Sequence, residues 1–391
     1  MRTSDHAGYS TDLVPCIHSD KEMFGGRSME SNGGTPNRIS GEDLQPLTIL
    51  RFFISFWVVF THQFESWKWI QLPEFEFLRR VIQRGDCGVK IFFVLSGFIL
   101  THVYAKQERF SSRSFFAARF ARIYPMYITA LLLAIPGLWL FQIPAELAQH
   151  EGLTGWAMIG VKSLFVLLLM QSWIPDFAPF WNEVSWSLST ESFFYGLFPS
   201  ILRKLKAISV KGILGILLVC LFLEIVRWTQ FKSAALPNTR IFWMFTPLVR
   251  MPDFLTGIGI GLLWIRGFRL PPATILLASG LIFLGCVLPS EIIVFKALLI
   301  HLGCASLILS LAFPCRTSGF WVRTGVLLGQ SSFAIYLIHQ PLGFLYFAAS
   351  AKVLGTQLPF WSYPPVLIAC SIALYLRVES PARIFLRRRL K

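Results

Sequence analysis

Residues 50–62 read LRFFISFWVVFTH, and this stretch decides the fold. It is an apolar run of helical length with Arg51 near one end and His62 at the other. An α-helix turns about 100° and rises about 1.5 Å per residue. The gap from Arg51 to His62 is therefore three turns plus roughly 20°, which puts both side chains on one face about 16 Å apart. Similar apolar runs lie near 47–65, 88–105, 120–142, 156–173, 185–203, 209–228, 241–265, 272–289, 291–313, 325–348 and 362–379. About 20 such residues suffice for one bilayer crossing. The expected fold is an all-α polytopic membrane helix bundle.

Composition agrees. The chain has 391 residues, of which 54% are hydrophobic and only 15% charged, where a soluble domain carries about a quarter charged residues. Its 37 Phe and 13 Trp suit lipid-facing and interfacial positions. The formal charge of +15 does not point to nucleic acid, because Lys and Arg sit in short loops between apolar runs, where they act as topology signals and headgroup anchors. The seven cysteines are scattered without CxxC spacing, which implies neither a disulfide framework nor a metal site. Residues 1–46 are polar and lack the apolar core of a signal peptide. They read as a disordered tail, and Met23 and Met29 are alternative starts. One membrane domain over 47–380 and a basic tail over 381–391 complete the layout, with no repeat and no appended soluble domain.

The basic loops set an expected orientation. Lys106, Arg109, Arg113 and Arg119 follow the second run, Lys204, Lys206 and Lys211 follow the fifth, and Arg383, Arg387, Arg388, Arg389 and Lys391 close the chain. All three groups belong in the cytoplasm. Strict alternation then fails unless one segment within 156–203 enters the membrane without crossing it. That leaves about ten transmembrane helices, one re-entrant segment and both termini cytoplasmic. Irregular backbone at membrane depth is tolerated only against protein or a water-filled cavity, so this region is also a candidate site. The loop 66–87 falls outside despite Lys68, Arg79, Arg80 and Arg84, and is read as an amphipathic segment on the membrane surface.

Ionisable groups within apolar segments are costly and are functional candidates by default. Arg51 suits phosphate recognition and His62 suits proton abstraction near neutral pH. The structural alternatives are an arginine snorkelling to headgroups and a histidine capped by a carbonyl. Glu191, in SWSLSTESFFYGLFP, needs a proton or a cationic partner at this depth. Ser187 and Tyr195, four residues either way, share its face and are candidates to hold it. Arg119 and Arg122 share a helix face and can grip phosphates together, or anchor the helix. Ser96 and Gly97 bring helices close. His339 lies in the outer half of its segment, and His102 and His301 read as structural.

Taken in order, these pieces resemble the acyltransferase 3 family, which contains bacterial O-antigen and exopolysaccharide O-acetylases. Arg51 and His62 match its Arg, ten residues, His signature. Phe92, Phe93, Ser96 and Gly97 match its Phe-Phe-x-x-Ser-Gly. Arg119 and Arg122 match its Arg-x-x-Arg. Trp186, Ser187, Leu188 and Glu191 match Trp-Ser-Leu-x-x-Glu, followed by Phe194, Tyr195 and Pro199. Tyr336 to His339 and Glu379-Ser-Pro381 also fit. The resemblance spans Leu47 to Pro381. It implies an O-acyltransferase of the bacterial inner membrane. The acyl group, acetyl from acetyl-CoA, moves from cytoplasmic acyl-CoA to a hydroxyl of a glycan or glycolipid at or beyond the membrane. It implies His62 as the catalytic histidine, acting as base or as acyl carrier; Glu191 is expected to orient it, as a buried carboxylate does beside a histidine base. Arg51, Arg119 and Arg122 are then acyl-CoA or structural contacts, the acyl-CoA role being the working expectation, and Ser96, Ser187, Tyr195 and His339 are expected to line the site. The fused extracytoplasmic domain common in the family is absent from the sequence, so the chain would act alone or with a separate extracytoplasmic partner. The rival functions are a flippase of lipid-linked saccharides, which predicts inverted repeats, and a structural membrane subunit.

Overall fold

The computed structural model describes residues 44–63, 72–107, 110–150, 152–315 and 318–389. Cys16, Met23, Met29, Lys68, Arg109, Lys391 and all of the expected polar tail except 44–46 lie outside the described residues. Leu44 is buried, and its carbonyl accepts from the backbone N–H of Leu47 at 3.1 Å and of Thr48 at 3.2 Å, closing the first turn of the first helix.

Every named element among the described residues is helical. In chain order these are α1 (Gln45–Gln63), α2 (Glu76–Ile82), α3 (Gly85–Tyr104), α4 (Ser112–Gly137), α5 (Ile143–Gln149), α6 (Gly152–Leu167), α7 (Trp186–Leu205) and α8 (Val210–Ser233). The second half holds α9 (Pro237–Phe245), α10 (Pro247–Ile265), α11 (Thr274–Val287), α12 (Ile293–Leu311), α13 (Phe320–Leu354), α14 (Tyr363–Leu374) and α15 (Ser380–Arg389). Six helical stretches, Pro73–Tyr104, Ser112–Gln149, Pro237–Ile265, Ile293–Leu311, Phe320–Leu354 and Phe360–Leu386, are long and apolar enough to cross a membrane. α1, α7 and α8 have spanning length at 19, 20 and 24 residues but carry more polar groups. The all-α polytopic membrane bundle expected from the sequence is the fold observed.

Several boundaries differ, each for a local reason. α4 starts eight residues before the apolar run because Ser111 caps it, its side chain accepting from Ser114 N at 3.3 Å. The run 241–265 is two helices, since Pro247 has no N–H to continue α9 and instead starts α10. The basic tail expected over 381–391 is helical to Arg389, reached through a π-helical turn at Tyr375–Glu379. Within 66–87, the short α2 and the turn before it present Phe77, Leu78 and Phe75 outward beside an Arg80–Glu76 ion pair, an amphipathic face.

Two close helix contacts organise the bundle. α3 packs on α10 through Gly97 and Gly257: a methyl at Gly97 would strike the Phe254 carbonyl oxygen, and one at Gly257 the Val94 carbonyl oxygen. Backbones this close gain dispersion contacts that larger residues forbid. α1 packs on α13 in the same manner, with Gly329 against the Thr48 carbonyl and Ser55 Oγ donating to Ser332 O at 3.0 Å. This second contact aligns the helix of Arg51 and His62 with that of His339.

The region 156–203 follows an unusual path. α6 starts beside α5, with Gly155 against the His150 carbonyl, and ends where Tyr124 and Tyr127 of α4 donate to the carbonyls of Leu167 and Val166 at 3.2 and 2.7 Å. The chain then doubles back. Trp181 Nε1 donates to Leu131 O at 3.0 Å, and Trp181 N donates to Gln142 Oε1 at 2.6 Å, near the α5 end of α4. From there it enters α7. α6 and the segment 168–185 thus form a hairpin beside α4 that leads into α7.

Candidate active site

His62 occupies the last turn of α1 and lines a cavity of about 320 Å³ with Arg84, Glu183, Trp186, Arg250 and Tyr336. Its Nδ1 lies 3.1 Å from Gln340 Nε2, and the same Nε2 donates to Glu183 Oε2 at 3.2 Å. The His339 ring stands 5.2 Å from the His62 ring, fully buried. Its Nδ1 bonds Tyr336 O at 2.7 Å, while its Nε2 has no hydrogen-bond partner. A nitrogen facing a carbonyl must carry its hydrogen, which leaves a lone pair on His339 Nε2. Tyr336 itself is held by Val184 O at 3.1 Å and Ser187 Oγ at 2.8 Å.

A second constellation gathers around Arg51, three helical turns back along α1. The charges of Arg122, Glu379 and Glu191 act on Arg51, and those of Arg119 and Arg122 on the Tyr195 hydroxyl. Glu191 Oε1 accepts from Ser96 Oγ at 2.7 Å and from the Tyr195 hydroxyl. Arg119 lies over the Tyr195 and Phe115 rings at 5.7 and 5.8 Å, and its buried Nε has no hydrogen-bond partner. Four guanidiniums, Arg51, Arg119, Arg122 and, beside Glu379, Arg383, thus face two carboxylates, Glu191 and Glu379, leaving two positive charges in excess. A buried cation without a full set of acceptors favours an anionic ligand.

The candidate residues therefore fall into two groups. His62, His339 and Ser187, through Tyr336, belong to one end. Arg51, Arg119, Arg122, Ser96, Glu191 and Tyr195 belong to the other. Two expectations need correction. Glu191 does not hydrogen-bond His62: its oxygen is taken by Ser96 and Tyr195, and the carboxylate linked to His62, through Gln340, is Glu183. Ser187 does not hold Glu191, because it sits one turn nearer the hairpin and bonds Val184 O and Tyr336.

Sequence reasoning also passed over the charges behind the His62 cavity. Lys90 pairs with Asp253 at 2.5 Å and with Glu224 at 2.6 Å, Arg227 grips Glu224 through two nitrogens, and Arg250 lies 3.6 Å from Asp253. All are buried. Arg84 and Arg227 also cover the Trp228 ring at 4.6 and 4.5 Å. The signal was available: Glu224 with Arg227, and Arg250 with Asp253, are opposite charges three residues apart inside apolar runs. Among the described residues no cluster of metal-ligating side chains occurs.

The bundle thus holds a histidine cavity at one end of α1 and an arginine cluster at the other. The family model described as Acyltransferase domain matches residues 46–376, and the chain belongs to this acyltransferase 3 family. It is a multi-pass membrane acyltransferase. Acyltransferase MdmB of Streptomyces mycarofaciens is 29% identical over 343 residues, covering 82% of this chain and 84% of that protein. Exopolysaccharide production protein ExoZ of Rhizobium meliloti is 27% identical over 316 residues, covering 76% and 89%. No solved structure matches.

Proposed function

We propose that the protein transfers an acyl group, acetyl in the simplest case, from cytoplasmic acyl-CoA to a hydroxyl of a cell-surface or exported glycan at the bacterial inner membrane, with both termini cytoplasmic. The difference in charge between the two ends of α1 carries this reading. The arginine end has two positive charges in excess, which suits phosphates. Around the His62 cavity Arg84, Lys90, Arg227 and Arg250 are matched by Asp86, Glu183, Glu224 and Asp253, four against four. A charge-balanced cavity walled by Trp186 and Tyr336 suits an uncharged polyhydroxylated ring.

Arg51, Arg119 and Arg122 hold the donor phosphates, and the unpartnered Nε of Arg119 supplies a donor for them. The arginine cluster and His62 lie about 16 Å apart along α1, a span for the donor's arm to bridge. His62 takes the proton of the acceptor hydroxyl as its oxygen bonds to the thioester carbonyl carbon. When the carbon–sulfur bond breaks, His62 returns that proton to the departing thiolate, so the exchange is balanced. Its ring is placed by Gln340, and Glu183 fixes Gln340.

The test is transfer of label from radiolabelled acetyl-CoA to base-deacylated glycan of the producing cell, using membranes that hold the protein. Base-labile label on the glycan, lost with His62→Ala at equal membrane content, is the expected result. Label that never enters the glycan fraction refutes the reading.

A further inference from the structure

A second and larger cavity, about 480 Å³, opens on the other side of the Glu183–Gln340 pair, and both residues line it. Glu183 also lines the His62 cavity, so one carboxylate separates the two spaces. This outer cavity is walled in part by the hairpin of α6 and 168–185. Lys162 of α6 pairs with Glu146 of α5 and with Asp176 of the returning segment at 2.7 Å, tying its wall together. Trp181 takes a left-handed backbone conformation (φ 69°), costly for a large side chain and maintained by its bonds to Gln142 and Leu131.

The lining pairs aromatic surface with planar amides: Phe141, Trp181 and Phe344 beside Gln149 and Asn182. Sugar rings are held in this way, an apolar face on an aromatic ring and hydroxyls on amides. Asn182 gives the sharper sign. It is 2% exposed, its Nδ2 is committed to Leu337 O at 3.0 Å, and its Oδ1 has no partner. Glu146 Oε2, on the same lining, is also buried without one. Buried acceptors left open call for a donor from outside the chain, and hydroxyl groups supply it.

We propose that this outer cavity is a second sugar subsite. The sugar to be acylated lies against His62, and the adjoining sugar of the same chain lies on Phe141 and Asn182. The acceptor is then an oligosaccharide or polysaccharide bound across at least two residues, not a single sugar carried on a small molecule. This rests on the acyl-transfer reading of His62.

The probe is deacylated host glycan, offered intact and as size-separated fragments of one, two and more sugars, with kcat/KM measured for wild type, Phe141→Ala and Gln149→Ala. The wild type should favour fragments of two or more sugars over single sugars by about tenfold, the effect of one stacking and hydrogen-bonding contact. Both variants should lose that preference while acylating single sugars as before. Equal wild-type efficiency on one and several sugars overturns the subsite and leaves the glycan reading standing. So does a variant that slows all lengths alike. If the wild type acylates no fragment and no intact glycan, the glycan reading falls, and the subsite with it.

Discussion

The Nδ1 of His62 faces the side-chain amide of Gln340, whose Nε2 also donates to Glu183. With the amide so turned, Nδ1 keeps its lone pair and the imidazole hydrogen sits on Nε2. To abstract a proton at Nε2, His62 needs the other tautomer, which a half-turn of the Gln340 amide provides by presenting Oε1 to an Nδ1–H, and this turn gives up the Nε2–Glu183 bond. Gln340 is thus a positioning residue. His62→Ala should lower kcat by about 10²–10⁴-fold, the usual worth of a general base, at unchanged membrane content. Gln340→Leu should lower it by up to about 10²-fold, the cost of a misplaced reacting group, with little change in KM for either substrate. A Gln340→Leu enzyme of normal kcat would remove this residue from the mechanism. The arginine end predicts the opposite pattern. Arg122→Ala should raise the KM for acyl-CoA about tenfold or more, since a hydrogen bond to a charged group is worth about 1.5–3 kcal/mol, and leave kcat near its original value. Steady-state kinetics with acyl-CoA varied at saturating acceptor separates the two patterns.

α3 and α10 carry the side chains of both ends at once: Ser96 of α3 reaches Glu191, while Arg250 of α10 lines the His62 cavity. Their spacing depends on Gly97 and Gly257, each facing a carbonyl oxygen of the other helix. Gly257→Ala puts a methyl into that contact and should cost about 1–3 kcal/mol, as overpacking does. A lowered unfolding midpoint in detergent is the expected readout, and an unchanged midpoint would show that the contact is not tight. The glycine contact illustrates what a sequence discloses. A small-residue pair inside an apolar run marks close packing, and helix arithmetic within one element placed Arg51 and His62 on a common face. Apolar segments also marked α3 and α7 to within three residues, and the existence though not the ends of α4 and α13, because lipid leaves the backbone no alternative to the helix. Glu183 was not legible, for it lies in the aperiodic return of the hairpin, and its link to Gln340 spans 157 residues of chain. Glu191 was assigned to His62 because both are buried ionisable groups; only packing reveals that Ser96 and Tyr195 occupy its oxygen. Lys90, Asp253 and Glu224 stand inside apolar runs, where an ion pair hides a charge from hydropathy alone.

At the scale of the whole molecule, three helices are joined by charge. Lys90 of α3 lies between Asp253 of α10 and Glu224 of α8, with Arg227 and Arg250 on their outer sides. The five groups sum to one positive charge, three cations against two carboxylates, which Glu183 on the cavity wall offsets. Ionisable side chains at this depth survive only as partners, so their effects on stability cannot be independent. Asp253→Leu leaves Arg250 without its carboxylate and Lys90 with Glu224 alone, and raises the cluster to two positive charges. It should destabilise the fold by about 3–5 kcal/mol, the cost of an uncompensated buried charge. Lys90→Met leaves Glu224 with Arg227 and Asp253 with Arg250, a neutral set, and should cost less. In the double variant the cluster regains its original sum, and an apolar pair takes the place of the Lys90–Asp253 bridge; apolar replacements of buried ion pairs are often tolerated. Unfolding midpoints of the four proteins in one detergent form a double-mutant cycle. The expected outcome is a double variant more stable than Asp253→Leu alone, with acyl transfer partly restored because Arg227 and Arg250 again line an intact cavity. If the double variant is instead as unstable as the two single effects added together, Lys90 and Asp253 act separately and the three helices are not joined through this bridge.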